Sequence, residues 1–528
     1  MRGLFTASVA RFVQRHPGLY AAYVAAMLLH PVEKLVLPYA FSQTLETVKT
    51  GGSATYTHSL VTLLVMWIVA QLLQLGFSMA ETTMHIKYTA AARTLMVDRF
   101  MESVRCDYDP SAVARIVPKL YRVPDTLRAA FGTVHHMLVT DVIMHVSSAV
   151  MYALISRTIG TVYVCGVLTW GALLYGNFRT CGASWSRRNN SFEELQMLMS
   201  DILDNTVTVL SAGTKAREIA RIEEKSREVH ADIEVSLRCS RLFRALIILL
   251  MIATFSAIMV ATVRGLTNET IAFPQFLYIL LTIFPAITRF VRGHSIVTDL
   301  HASFALIRGA DAALATDRAA CRLAAAEDTK RSAAPGLRVI GVEKDGYTRR
   351  PYTIAFPRGT VYTLDGDVGH GKSTLLRCIM RFTTFDRGIV LFEGRDIQAE
   401  PVAQWRRRVG YLPQNPPIFD RTLRENIEYG GYISFEEGVA AMRRFQLHEI
   451  ADAFERKRDE RVGKHGHALS GGQRQLVHLL RLIGSRRPVL LLDEPFSAMD
   501  AYTRKCAREM LEVSVLPDQT VILVTHTK

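Results

Sequence analysis

From residue 366 to residue 374 the chain reads Gly-Asp-Val-Gly-His-Gly-Lys-Ser-Thr. Gly366, Gly369 and Gly371 leave the backbone open, so successive N–H groups can wrap a row of phosphates. A helix starting directly afterwards adds the positive end of its dipole. In the spacing G-x-x-x-x-G-K-[ST], Lys372 reaches the β- and γ-phosphates and Ser373 holds Mg²⁺, with Thr374 directly behind them in the phosphate-binding set. The flanks suit such a loop: Thr360–Leu364 reads as a short strand and Ser373–Phe382 as a helix. Further on, Val489-Leu-Leu-Leu-Asp493-Glu494-Pro495 predicts a buried parallel strand that ends in two acids. Asp493 is then placed to hold Mg²⁺. Glu494 is placed to accept the proton of an attacking water, the work of a base in a desolvated site.

Three shorter motifs say little one at a time: Tyr411-Leu-Pro-Gln414, Leu469-Ser-Gly-Gly-Gln473 and Thr525-His526. A Ser-Gly-Gly segment is a turn, a glutamine a surface residue, a histidine usually a structural one. Together and in this order they carry a family resemblance. The chain resembles an ABC transporter half of the exporter type, six spans followed by one ATP-binding cassette, over nearly its whole length. LSGGQ at 469–473 is the most specific mark. Val409–Gly430 and Val207–Glu224 are similar to the corresponding exporter segments.

The resemblance implies a role for each motif. Gln414 would sense Mg²⁺ and contact the membrane helices. Ser470, Gly471 and Gly472, with Gln473, would grip the γ-phosphate of ATP held by a second cassette. Ser497–Asp500 corresponds to the D-loop, and Asp500 is counted with the nucleotide site. His526 is the switch histidine, and joins Glu494, Lys372 and Gln414 in the catalytic set. Tyr347 is the candidate to stack on adenine, at a shorter interval before Lys372 than is usual in the family. Lys464 stands where the family usually has an acid. The chain ends at Lys528, where the family continues through further strands and helices. A cassette cut short there is expected to leave its final strand without a neighbour.

These residues need elements to hold them, and 528 residues allow more than one domain. The apolar residues concentrate before about residue 300. Ser59–Ala80, Thr158–Phe178, Ala245–Val263 and Thr270–Thr288 are uncharged, each near the ~20 residues that cross about 30 Å of hydrocarbon. Two more apolar runs carry ionisable groups: Glu33 and Lys34, with His30 and two prolines, in Leu19–Thr44, and Asp141 and His145 in His135–Ser156. Such groups either line a substrate path or make structural contacts between helices, and the sequence leaves both open. Links after spans one, three and five are short, and the last holds the glycosylation pattern Asn268-Glu-Thr270. The mixed-charge stretches Glu81–Val134 and Arg179–Arg244 predict helices running far past the membrane on the Lys- and Arg-rich side. That topology puts both termini and the phosphate loop in the cytosol.

The net charge of +14 reads as this positive-inside bias, so no nucleic-acid partner is expected. Seven cysteines lie scattered with no C-x-x-C, which predicts neither a disulfide framework nor a zinc site. The start, with Arg2, Arg11 and Arg15 and no acid, predicts an amphipathic helix lying on the membrane surface. A mitochondrial presequence is the other reading.

The expected fold is multidomain. Residues 1–16 form the amphipathic segment and 17–305 an all-α polytopic membrane domain of six transmembrane helices with long cytoplasmic extensions. A linker covers 306–336, and an α/β P-loop NTPase cassette covers 337–528. The resemblance implies ATP and Mg²⁺ as cofactors, and ATP hydrolysis that drives export of a hydrophobic, amphipathic or peptide-like substrate. It also implies pairing, within a lipid bilayer, with a second half-transporter: a copy of this chain, given its complete catalytic set, or a relative. The other reading is a regulatory subunit that binds ATP to gate a partner. The cassette is expected in the cytosol, with the mitochondrial inner membrane as the alternative location.

Overall fold

The computed structural model describes residues 3–28, 32–50, 53–104, 108, 110–314, 335–366 and 369–525. They divide into two compact units, Met1–Phe100 with Ser111–Ala315, and Met101–Pro110 with Thr316–Lys528.

The first unit is helical. It opens with α1 (Leu4–Arg15) and α2 (Pro17–Leu28). Leu4, Ser8 and Phe12 recur every four residues on one buried face of α1. That face packs against neighbouring helices of the same unit. Phe12 packs edge-on against Tyr88 and Phe131, and the Ser8 hydroxyl lies 2.7 Å from that of Tyr88. The apolar stripe is narrow enough to be covered by neighbouring protein.

A π-helical turn, Val32–Val36, leads into α3 (Leu37–Thr50), and within it Lys34 pairs with Glu33 at 2.7 Å. His30 and Pro31 lie outside the described residues. Then follow α4 (Ser53–Ser103), α5 (Pro110–His135), a second π-helical turn (His136–Asp141), α6 (Val142–Ile155), α7 (Arg157–Asp204) and the short α8 (Thr206–Ser211). The unit closes with α9 (Lys215–Thr267) and α10 (Phe273–Ala313), so the last helix runs past residue 305. Among the described residues six stretches are long and apolar enough to cross a membrane, and the chain is a multi-pass membrane protein. With 51, 48 and 53 residues, α4, α7 and α9 are far longer than a crossing requires.

α7 and α9 lie antiparallel in one register: Gly166 meets Thr254, Cys181 meets Cys239, and Ser236 donates to the Ser184 carbonyl at 3.1 Å. A Cβ on Gly166 would come within 2.6 Å of the Thr254 side chain, so this approach of the helices needs glycine. The same register joins Cys181 to Cys239 in a disulfide, with Cα atoms 5.9 Å apart and a separation of 58 positions in sequence. This corrects the expectation, from cysteines scattered without a C-x-x-C, of no disulfide framework: one bridge is present. Spacing along the chain carries no sign of a pairing that helix register creates. His145 on α6 is 2.9 Å from the Tyr163 hydroxyl on α7, and Asp141 is buried with Arg289 and Arg292 of α10 in electrostatic range.

The second unit is the cassette. Its strands are β1 (Leu337–Glu343), β2 (Tyr352–Phe356), β3 (Thr360–Leu364), β4 (Arg387–Phe392), β5 (Arg395–Asp396), β6 (Val409–Leu412), β7 (Val489–Asp493) and β8 (Thr520–Val524). Its helices are α11 (Lys372–Ile379), α12 (Val402–Arg408), α13 (Leu423–Ile427), α14 (Phe435–Arg444), α15 (His448–Arg456), α16 (Gly471–Gly484) and α17 (Ala501–Ser514). Strands β2-β1-β4-β5 form an antiparallel sheet, and β3-β8-β7-β6 a parallel one. Every residue of β7 and β8 is buried, as continuous apolar runs in a parallel sheet should be. The expectation of an unpaired final strand is overturned: β8 lies between β3 and β7, bonded to both. Crossover connections carry the chain out and back, so the last strand in sequence takes an inner place in space. The segment 101–110 belongs to this unit; the Tyr108 N–H donates to the Phe382 carbonyl at 2.7 Å.

Candidate active site

The phosphate loop leaves β3 and enters α11, whose N-cap is Gly371. Gly371 has φ 87°, a left-handed conformation that disfavours any residue with a Cβ. A Cβ there would also meet the Tyr347 carbonyl at 2.5 Å. Gly366 and Gly369 share the positive φ. Lys372 is 5% exposed and donates to the Gly366 carbonyl, which holds the loop closed upon itself. The Tyr352 hydroxyl donates to the His370 carbonyl at 2.9 Å and ties the loop to β2. Tyr347, in the turn between β1 and β2, is 61% exposed, so the face of its ring is open to a planar ligand. Thr374 lies in the first turn of α11.

The carboxylates come from the neighbouring strand. β7 ends at Asp493, whose Oδ1 accepts the Ser373 hydroxyl at 2.9 Å. Hydroxyl and carboxylate so placed are a donor set for a hard cation of the Mg²⁺ kind. Glu494, next in the chain, has φ 48°, a strained conformation for glutamate. Its backbone is pinned: its N–H donates to the Val524 carbonyl at 3.1 Å and its carbonyl accepts from Ser497 N–H at 3.2 Å. Its side chain accepts from Gln414 Nε2 at 2.9 Å. Burial, with Asp493 beside it, pushes the Tyr411 phenol above its ordinary pKa. Across the sheet, Thr525 donates to Asp365 directly before the loop. His526 lies outside the described residues.

Lys372, Ser373, Gln414, Asp493 and Glu494 thus meet at one end of the parallel sheet, where strands hand over to loops and helix starts. The signature is organised separately. Ser470 caps α16, accepting from Gln473 N–H, and Gln473 in turn accepts the Ser470 N–H at 3.0 Å. Among the described residues, none of these bonds goes to the phosphate loop. Gly471 and Gly472 instead pack on Ala498, with ideal Cβ positions 2.9 Å and 3.1 Å from its atoms. Asp500 caps α17 and accepts from Thr503 Oγ1 at 2.6 Å, bonds that hold its carboxyl below the usual range.

Motif reading passed over one residue of this region. Gln475 is 2% exposed and bonds to Gln414, Glu494 and Ser497, on two of the loops just described. The available signal was a glutamine on the apolar face of α16, in line with Gly472, Leu476 and Leu479.

Comparison with known proteins agrees with this geometry. Residues 350–497 match the family model "ABC transporter". The mitochondrial iron-sulfur clusters transporter ATM1 of Candida albicans is 32% identical over 176 residues, 33% of this chain and 24% of its own. The human mitochondrial potassium channel ATP-binding subunit is 33% identical over 179 residues, 34% of this chain and 24% of its own. The chain thus spans about a quarter of the length of these curated relatives. A bacterial Atm1-family ABC exporter solved with ATP bound has a similar fold, with TM-score 0.78 at 19% identity, over 97% of this chain and 91% of that one. The chain therefore shares the fold of that exporter, six apolar helices followed by a cassette, and the cassette carries the match to the ABC transporter family over residues 350–497.

Proposed function

We propose that this chain pairs with a second half-transporter, hydrolyses ATP in its cassette, and uses the cycle to export a hydrophobic, amphipathic or peptide-like substrate. The observation that carries the reading is the hydrogen bond that turns Glu494 toward Gln414, beside a phosphate loop whose Ser373 bonds to Asp493. Lys372 binds the β- and γ-phosphates and offsets charge as the terminal phosphate leaves. Glu494 accepts the proton of the attacking water, and Gln414 keeps its carboxylate turned to that task. Ser373, Gln414 and Asp493 would hold Mg²⁺, which, when bound, neutralises charge between the phosphates. Ser470–Gln473 serve the nucleotide of the partner cassette, Tyr347 stacks on adenine, and His526 acts as the switch histidine at the terminal phosphate. A complete set in one chain favours a homodimer.

The test is ATP turnover by the full chain, reconstituted alone in lipid, against Glu494→Gln. Removing the base should lower kcat by roughly 10²-fold or more with nucleotide binding retained. No turnover in a folded, ATP-binding wild type favours the second reading, a subunit that gates a partner. That reading draws on the relative named as the ATP-binding subunit of a mitochondrial potassium channel. The cytosolic face of its membrane is the proposed place of the cassette. The mitochondrial inner membrane is the alternative, in keeping with the relatives' names.

A further inference from the structure

We infer that Gln475 is a positioning residue that sets the aim of Glu494 and ties it to the signature helix. The inference rests on the ATPase reading above and adds a residue to its machinery. Gln475 lies in the second turn of α16, five residues after the Ser470 cap, and is 2% exposed. Its side-chain Nε2 faces three acceptors: the Ser497 hydroxyl at 3.0 Å, the Glu494 carbonyl at 3.3 Å and the Gln414 carbonyl at 3.4 Å. Its Oε1 accepts the Ala498 N–H at 3.1 Å. The Ser497 hydroxyl in turn donates to the Glu494 carbonyl at 3.1 Å.

One buried amide therefore touches the backbone of the Gln414 loop, the backbone of Glu494 and the loop that runs from Ser497 to Asp500. Glu494 needs such support. Its φ of 48° is strained for a residue with a Cβ, and such a conformation persists only where the surroundings over-determine it. Glu494 and Gln414, whose side chains bond to each other, both offer their carbonyls to the same Nε2. Gln475 thus fixes the two partners of that bond from behind. An apolar side chain here would fill the space, remove these bonds and take from the Ala498 N–H its buried acceptor.

A further consequence follows from the place of Gln475 on α16. The helix begins at Ser470, and Gly471 and Gly472 pack on Ala498, whose N–H Gln475 holds. A shift of α16 when the signature meets a partner's nucleotide would be felt at this chain's own Glu494 through that amide.

The experiment compares the full chain in lipid with Gln475→Leu, which keeps the volume, and Gln475→Glu, which keeps Oε1 but sets a carboxylate against the carbonyls. Three readouts are taken: steady-state ATP turnover, nucleotide affinity, and amide exchange of residues 494–498. Both variants should melt close to wild type and lose roughly 10-fold or more in kcat, with KM for ATP within about twofold. In Gln475→Leu, exchange at 494–498 should speed up by roughly 10-fold or more, because Ala498 N–H has lost its buried acceptor. Unchanged kcat, a parallel loss of kcat and affinity, or failure of both variants to fold would each overturn the inference. If wild type itself turns over no ATP, the functional reading fails separately. Exchange then decides the inference, and unchanged protection at 494–498 overturns it.

Discussion

At the scale of single residues, the site works by holding polar groups against each other before any nucleotide arrives. Ser373 on Asp493 and Gln414 on Glu494 are two such pairs, each at 2.9 Å. Exchanging one partner for an aliphatic group leaves the other charge without its hydrogen bond. Ser373→Ala should therefore weaken Mg²⁺-dependent nucleotide binding roughly 10-fold, while Mg²⁺-free binding changes little. Fluorescent-nucleotide titration with and without Mg²⁺ distinguishes this from a general loss of fold. Tyr347 makes a contrasting case, because under the proposed stacking its exposed ring would contact the nucleotide in ground and transition states alike. Tyr347→Ala should raise KM for ATP by roughly fivefold or more at unchanged kcat. A KM equal to wild type would remove Tyr347 from the site.

At the scale of elements, α16 carries the signature at its start and a pH-sensitive anchor further along. His478 Nε2 donates to the Pro417 carbonyl at 2.9 Å. Burial, with the Arg481 guanidinium beside it, pushes its pKa down to about 4. Between its ordinary value near 6.5 and about 4, the unfolded chain binds a proton that the folded chain does not. Stability is then fully present above about pH 6.5 and is lost as pH falls toward 4, on the order of 2 kcal/mol after allowance for solvent at this partly exposed face. His478→Gln keeps a donor without the titration, so its melting temperature should fall less steeply over that range. Equal slopes would show that other groups govern acid stability. In the helical unit, Gly166→Leu should separate α7 from α9 and destabilise the chain by about 1–3 kcal/mol, read as a lower melting temperature in detergent. The phosphate loop, the buried strand before Asp493 and the apolar spans were legible because each is a local pattern. The Gln475 clamp was not, because its four partners lie on two loops that are distant in sequence from each other.

At the scale of the whole molecule, the signature and the phosphate loop of one chain are organised as separate halves. Ser470–Gln473 form their own cap, while Lys372, Ser373 and Glu494 gather elsewhere in the cassette. Under the proposed pairing, particles weighed in lipid nanodiscs should contain two chains, and Glu494→Gln with ATP should enrich closed pairs in cross-linking. Full turnover by single-chain particles would contradict it.

What the sequence alone determined is what neighbouring residues decide together. Gly371 needs its left-handed φ beside Lys372, apolar runs of spanning length need a bilayer, and a continuous apolar strand needs burial on both faces. Tertiary structure decided the pairings between distant segments. It set β8 between β3 and β7, brought Cys181 to Cys239 and turned the apolar face of α1 toward Tyr88 and Phe131. The physical reason is the same in each case. Periodicity states which face of an element must be covered, but the element that covers it is chosen by crossover connections and helix register, which only the packed chain possesses.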